Sequence, residues 1–463
     1  MRVLLINPLV REWARPNCVP LGLCYIAACM QRAGHEVEIY DINALRPSPD
    51  DIRAKIAAAR YDWAGVGGIV TTYSYVKWLV GALKDAHPDR PVVVGGSVAT
   101  SIPETLLSRT RADVAAIGEG ERTVVDLCAA LAAGGDLSAV RGIWWRTSAG
   151  AVRRNEPQAM IADLDELPMP ARELVPMEIY LKNPVGAPNR NKWADGSAAE
   201  GILTTNLMAT RGCPYQCIYC YHDFLGYKYR HRSPANVVAE MKQVRERHGV
   251  EYFHFIDDEF MLKKSFVRGF CAEMRRWGAR VAWGCTGRVN LVTEELLREM
   301  QGAGCVLVCY GIESGSQKML DLMRKQVTVE EAENALRLTH KVFGTNDVSL
   351  MVGLPGETRE TMRETVEFCK RAGVAPQVIF FATPYPGTEL YRMAVERGRI
   401  GDEEEYVLGL AEQGEKIACN LSTIPDEELR AARDEMVAEL GAWNRVRHAG
   451  DGAASVPPDG ERG

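Results

Sequence analysis

Short apolar runs alternate with helical stretches along most of this 463-residue chain, and they do so in two separate series. In the first, strands are expected at residues 3–6, 37–40, 63–70, 92–94 and 114–117, with helices near 21–33, 52–60, 76–86, 104–108 and 121–132. Continuous apolar strands separated by helices need cover on both faces. They predict an α/β fold with a doubly wound parallel sheet, Rossmann-like, whose ligands sit beyond the carboxyl ends of the strands.

The second series begins at Ile202. Strands are expected at 202–209, 252–256, 280–285, 306–311, 348–352 and 378–381, with helices at 234–248, 266–277, 294–300, 329–343 and 359–371. Six such repeats suit a (β/α)6 partial TIM barrel with its chemistry at the strand ends. Between the two series, Trp144 and Trp145 suggest a short strand or hairpin, prolines break regularity, and residues 183–200 read as linker or exposed loop. After about residue 390 the chain is mostly helical. The expected division is 1–135 for the first domain, 136–200 for a connector, 201–390 for the barrel, 391–448 for a helical region and 449–463 for a disordered polar tail.

Composition excludes several classes. A net charge of -6 with no polybasic run gives no reason to expect nucleic acid. No apolar run approaches the length of a membrane span, and the first apolar stretch is too short for a signal peptide and reads as a strand. Thirteen cysteines without a regular framework suggest reduced thiols and a cytoplasmic protein.

Three of those cysteines share one short loop, Arg211-Gly212-Cys213-Pro214-Tyr215-Gln216-Cys217-Ile218-Tyr219-Cys220. Soft thiolates gathered at one point select iron–sulfur clusters, zinc or copper. A structural zinc site uses four protein ligands, so three leave a position open; His222 could supply the fourth and complete a Cys₃His site. Burial as small hydrophobes is the third reading, and the default for Cys24, Cys29 and Cys128. Cys305 and Cys309 flank an expected strand; their spacing could suggest a second cluster, but no partners lie nearby in sequence, so they are read as packing residues too.

The spacing, with an aromatic residue before the last cysteine, resembles the cluster loop of radical S-adenosylmethionine (SAM) enzymes. It follows the first barrel strand, where such folds place active sites. Further stretches match the family in order. The second strand ends in Asp257-Asp258-Glu259, where the resemblance implies contact with the amino group of SAM and where carboxylates can accept from an ammonium; a solvated acidic loop is the alternative. Arg288, in Cys285-Thr286-Gly287-Arg288-Val289-Asn290, could pair with the SAM carboxylate or serve a structural bridge. Glu313, in Gly311-Ile312-Glu313-Ser314-Gly315-Ser316, is implied as a partner of the ribose or amino group. Gly353, in Met351-Val352-Gly353-Leu354-Pro355-Gly356, is implied as backbone near the adenine, and Tyr219 as a SAM contact.

The first domain resembles the cobalamin-binding domain that precedes many radical SAM cores. The stretches that match are Ala33-Gly34-His35-Glu36-Val37, Val94-Gly95-Gly96-Ser97 and Gly118-Glu119-Gly120-Glu121. Glycines directly after strands permit close approach of backbone to a bulky ligand. The implied cobalamin contacts are Gly95, Gly96, Ser97, Gly118, Glu119, Gly120 and Glu121. Thr71, Thr72 and Tyr73 are candidates for the lower cobalt face; an ordinary polar turn is the alternative. Asp85-Ala86-His87 echoes a cobalt-ligating motif, but it follows a helix rather than the first strand, so His87 reads as a surface residue. A dinucleotide is not expected, because the first turn is Asn7-Pro8 and no full glycine fingerprint occurs.

Together these resemblances imply a cobalamin-dependent (class B) radical SAM enzyme, most often a methyltransferase, using a 4Fe-4S cluster, SAM and cobalamin. In that family a 5′-deoxyadenosyl radical activates an unactivated carbon, which then receives a methyl group; the expected substrate is a biosynthetic small molecule. Relatives that close or rearrange rings without methyl transfer are one alternative, and a non-catalytic cobalamin-binding or sensing protein is another. Methylthio transfer is less expected, since the first domain has no second three-cysteine set. The family also implies an external one-electron reductant of flavodoxin or ferredoxin type, and a monomer is expected. The cofactors can cooperate only if the strand ends of barrel and sheet face each other. Substrate contacts are then expected from the connector, 221–232, Tyr385-Pro386-Gly387 and the C-terminal helices; packing and solvated surface are the alternatives for these segments.

Overall fold

Two sheets organise the chain in the computed structural model, which describes residues 1–183, 185, 201–376, 378–410, 414 and 416–450, without the side chains of 448–450. Most of the expected linker and tail lies outside the described residues. The first sheet contains β1 (Arg2–Asn7), β2 (Glu36–Asp41), β3 (Trp63–Gly67), β4 (Val92–Gly95), β5 (Val114–Ala116), β6 (Ile143–Arg146) and β7 (Val152–Arg154). Their order is β2-β1-β3-β4-β5-β6-β7; the first five run parallel and the last two antiparallel. In such an order the ligand crevice opens where the chain reverses, between β1 and β3.

Two sequence expectations shift here. The sheet continues past residue 135, because Trp144 and Trp145 pair with β5 and close an edge that would otherwise stand open. The strand expected to reach residue 70 stops at Gly67, and Val70–Thr72 form a 3-10 turn. Beyond Gly67 the chain packs backbone to backbone on the turn after β4: Gly96, at φ +84°, lies so close to Gly68 that a Cβ there would overlap the Gly68 carbonyl oxygen, which accepts from the Val98 amide at 3.2 Å.

The second sheet contains β8 (Leu203–Leu207), β11 (Val250–Phe255), β12 (Ala282–Gly287), β13 (Cys305–Glu313), β14 (Asp347–Val352) and β15 (Ile379–Phe381), all parallel and in chain order. This is the open half-barrel that six strand–helix repeats require. A small antiparallel ribbon, β9 (Thr210–Arg211) with β10 (Arg230–His231), branches off after β8. The barrel helices start and stop where local chemistry directs. Ser233 caps helix Pro234–His248, which begins on proline and ends at Gly249 with φ 69°. Phe255, Phe260, Phe270 and Trp283 form the central core, with Phe255 and Phe260 centroids 4.6 Å apart. That contact pinches off the acidic turn between them.

The C-terminal region serves both domains. Helix Glu403–Leu408 lies on the first domain, where Val407 and Leu410 join a core with Val76 and Leu79. Glu404 accepts from Tyr73 at 2.6 Å and Lys77 at 2.7 Å. Helix Asp426–Gly450 then returns to the barrel, where Glu428 and Glu439 meet Arg359 and Arg363. Among the described residues no helix is long and apolar enough to cross a membrane.

Candidate functional site

The cysteine loop spans the gap between β9 and β10 and is closed at its base. Asp257 Oδ1 accepts from the amides of Ala209, at 2.8 Å, and Thr210, while Asp258 accepts from Gly212 at 3.2 Å. The acids that follow β11 therefore hold the backbone leading into Cys213. A solvated acidic loop describes only Asp258, which is exposed; Asp257 and Glu259 are buried. Burial pushes both carboxyls up to about 7. Asp257 Oδ2 is buried without a partner, an acceptor left over after the loop is anchored.

The strand ends converge on the thiols. Arg288 stacks on Tyr215 at 3.5 Å from the ring centre, approaches Cys217 Sγ at 3.9 Å and donates to the Lys325 carbonyl. It thus acts as a bridge, although its Nε is buried and unpartnered. Lys325 Nζ donates to Glu313 at 3.0 Å and to the Tyr219 hydroxyl at 3.0 Å, and Tyr219 donates to Glu313 at 3.3 Å. Glu313 holds this position with φ 67°, a left-handed conformation that costs a non-glycine residue energy and clusters at functional sites. The hydrogen bond from Cys220, with Lys325 and Arg288 nearby, brings the Cys217 thiol down to about 5. Thiolate, the form that binds metal, is favoured at Cys217 alone; burial pushes the Cys213 thiol up, and the hydrogen bond to Cys217 together with burial pushes up that of Cys220.

Among the described residues no three His, Cys, Asp or Glu converge as ligands of one ion would. A four-iron cube binds each thiolate at a separate corner, so its ligands need no common point. Three thiols from one loop, Arg288 and Lys325 beside Cys217, and unpartnered Asp257 Oδ2 and Arg288 Nε fit a cluster with an amino-acid ligand of opposite charges beside it. His222 stacks on Tyr227 with centroids 4.6 Å apart, and its Nε2 is buried without a partner. Cys305 and Cys285 are buried inside the barrel, and Cys309 donates to Asp347 at 3.4 Å. Gly353, with φ 91°, turns after β14 beneath Leu429.

At the first domain's edge, a Cβ at Gly95 would meet only the Ala116 Cβ, at 3.9 Å, an ordinary contact, so the half-buried backbone there is not crowded. Ser97 begins helix Ser97–Ser101 beside it. Thr71 and Thr72 are buried below, with Thr72 donating to the Ile69 carbonyl at 2.7 Å. Tyr73 points instead into the core and is held by Glu404. Gly120 starts helix Gly120–Ala132, and the carboxylates on either side of it are already occupied. Glu119 binds Arg211 and Arg230, and Glu121 binds Arg211. His87 lies at the opposite edge, half-buried, its Nε2 3.1 Å from the Ile56 carbonyl and its ring edge-on to Tyr61.

The two crevices face each other. Gly118 lies 3.9 Å, measured from the Cβ it lacks, from the carbonyl of Phe224 in the cysteine loop. Asn206 of β8 exchanges hydrogen bonds of 2.8 and 3.0 Å with the backbone of Val19 in the loop after β1. Tyr221 packs against Gly387, where a Cβ would overlap its ring. Within 221–232, expected to touch substrate, the arginines are engaged in ion pairs, Arg232 with Glu240 and Arg230 with Glu119. Lys325 lies in no quoted motif, and Tyr215, although inside the cysteine loop, was not singled out as a site residue.

Known proteins agree with this arrangement. The B12 binding domain model matches residues 10–128 and the Radical SAM superfamily model residues 207–369. The chain is 30% identical over 403 residues to an uncharacterised methyltransferase of Pyrococcus horikoshii, covering 85% of this chain and 83% of that one. It is 28% identical over 419 residues to an anaerobic magnesium-protoporphyrin IX monomethyl ester cyclase of Rubrivivax gelatinosus, covering 88% and 72%. Its fold resembles that of TsrM, a radical SAM methyltransferase from Kitasatospora setae solved with cobalamin and a [4Fe-4S] cluster, with a TM-score of 0.71, 20% identity and coverage of 96% and 88%. With the cysteine loop poised between two facing crevices, the chain belongs to the cobalamin-dependent radical SAM enzymes, whose cofactors are a 4Fe-4S cluster, SAM and cobalamin.

Proposed function

We propose that this protein methylates an unactivated carbon of a small biosynthetic molecule through a 5′-deoxyadenosyl radical. The observation that carries this reading is the face-to-face placement of the two crevices, with Gly118 of the sheet against Phe224 of the cysteine loop. When bound, the cluster supplies the electron that cleaves SAM and cobalamin supplies the methyl carrier. The chain's own residues bind and orient. Cys213, Cys217 and Cys220 hold the cluster, Asp257 Oδ2 accepts from the SAM ammonium, and Arg288 Nε faces its carboxylate. Glu313 and Tyr219, locked by Lys325, flank the nucleoside, with Gly353 backbone beside the adenine. Gly95, Gly96, Ser97 and Gly118 offer backbone to cobalamin above Thr71 and Thr72. Tyr221, Tyr385 and the C-terminal segment exclude water around the substrate. A flavodoxin- or ferredoxin-type protein delivers the electron to a monomer in the cytoplasm.

Ring closure without methyl transfer is the second reading, supported by the likeness to the magnesium-protoporphyrin cyclase. The experiment is anaerobic reconstitution with iron, sulfide and cobalamin, reduction, and turnover of a panel of small biosynthetic intermediates with methyl-labelled SAM. Label in the product together with 5′-deoxyadenosine is expected. A changed product without label establishes the cyclase reading instead. Absence of 5′-deoxyadenosine under reduction overturns both.

A further inference from the structure

The ribbon that closes the cysteine loop carries two arginines in the least favourable arrangement. Arg211 of β9 and Arg230 of β10 are direct cross-strand partners in a ribbon only two residues long on each side. Like charges directly opposite destabilise a strand pair, and a ribbon this short has little else to hold it. Both guanidinium groups are also buried, at 4% and 3% side-chain exposure.

Their charges are balanced from the other domain. Glu119 Oε1 accepts from Arg211 Nη1 at 2.9 Å, and both of its oxygens accept from Arg230 Nη1 at 2.8 Å. Glu121 accepts from Arg211 Nη2 at 2.6 Å. The acids are as buried as the arginines, and Glu119 also accepts from the Ile161 amide at 2.8 Å. Two positive and two negative charges thus close a sealed cluster, one sign from each domain. Removing a partner from such a cluster leaves an uncompensated buried charge.

The loop above depends on this base. Arg211 is two residues from Cys213, whose amide donates to the Gly226 carbonyl at 3.3 Å. Arg230 Nη2 reaches into the loop and donates to the Leu225 carbonyl at 2.8 Å. Gly212, at φ +80°, lies where a Cβ would come within 2.6 Å of the Lys228 carbonyl and 2.8 Å of that of Gly226. The two limbs therefore touch backbone to backbone.

We infer that Glu119 and Glu121 are positioning residues for the cysteine loop, which takes its cluster-ready shape only when the first domain docks its Gly118–Glu121 turn onto Arg211 and Arg230. The acids act through the arginines, not on the cofactor, and the cobalamin domain thereby licenses assembly of the iron site. The inference concerns the shape of the loop, whatever group the loaded enzyme transfers, so its failure and that of the methyl-transfer reading are separately visible.

The test is hydrogen exchange by mass spectrometry on the full-length metal-free chain. In Glu119→Gln, amides of 212–229 are expected to exchange about tenfold or more faster, while those of β12 and β13 keep their protection. Leu336→Ala, a buried barrel-helix substitution, sets the comparison for ordinary destabilisation and is expected to leave the loop-to-barrel ratio unchanged. Should Glu119→Gln fail to fold, Glu121→Gln removes a single ion pair and is read in the same way, with a smaller local rise. Unchanged loop exchange, or loop and barrel amides accelerating together as in Leu336→Ala, overturns the inference.

Discussion

Lys325 Nζ sits 3.0 Å from Glu313 Oε1, and the carbonyl of the same lysine accepts from Arg288. One residue of a connecting loop thereby ties the ends of β12 and β13 to each other and, through Tyr219, to the cysteine loop. The pair is buried on both sides, with side-chain exposures of 8% and 10%. Glu313 makes this contact from a left-handed conformation, at φ 67°.

Lys325→Met is therefore expected to leave a buried carboxylate unbalanced and to lower stability by about 3 kcal/mol. SAM affinity should fall with it, since Tyr219 and Glu313 lose their common donor. Urea denaturation and equilibrium dialysis against SAM check the two effects. Unchanged stability would mean that the pair is open to water.

Alanine at any one of Cys213, Cys217 or Cys220 should abolish most iron binding after anaerobic reconstitution and all 5′-deoxyadenosine formation. Cys305→Ala should retain both, because that thiol is buried in the barrel core and donates to the Leu307 carbonyl at 3.5 Å. Iron analysis and electron paramagnetic resonance of the reduced protein distinguish the two outcomes.

Gly96→Ala tests the first crevice alone. The added methyl overlaps the Gly68 carbonyl, and φ +84° disfavours alanine besides. The ends of β3 and β4 must part, so cobalamin retention on gel filtration should drop while iron content stays near the parent's. Loss of both would show that the crowding propagates into the barrel.

Glu357 predicts a pH dependence away from the thiols. Burial raises its carboxyl from 4.5 to about 7, against hydrogen bonds from Thr361 and the Gly353 amide that lower it. The folded chain then keeps a proton that the unfolded chain has already released. Stability falls as pH climbs from 4.5 to about 7, and the full penalty persists above that. Glu357→Gln should raise stability at pH 8 by on the order of 2 kcal/mol and leave it unchanged near pH 4. Thermal melts of the metal-free protein at the two pH values measure this.

The parallel strands of both sheets were legible because their apolar runs are continuous and their turns carry glycine. The cysteine loop was legible because its ligands are neighbours in sequence. Lys325 was not, since a charged residue between two helices reads as solvated until the chain folds back over Tyr219. Glu119 and Glu121 were legible only as part of a glycine-rich turn; Arg211 lies 92 and 90 residues from them and Arg230 lies 111 from Glu119, beyond any local pattern. The antiparallel extension by β6 and β7 showed in the tryptophans, but nothing nearby indicated which sheet they would join. Glu404 is the extreme case, with Tyr73 as its partner 331 residues earlier.

That last contact bears on how such enzymes can be recombined. Residues 402–410 come late in the chain, yet they belong to the core of the first domain, where Val407 and Leu410 are buried. A chimera joining the sheet of one relative to the barrel of another at a single crossover would separate this segment from the surface it was shaped for. Two crossovers are required, with the helix Glu403–Leu408 inherited together with the sheet, and exchange within the family is constrained accordingly.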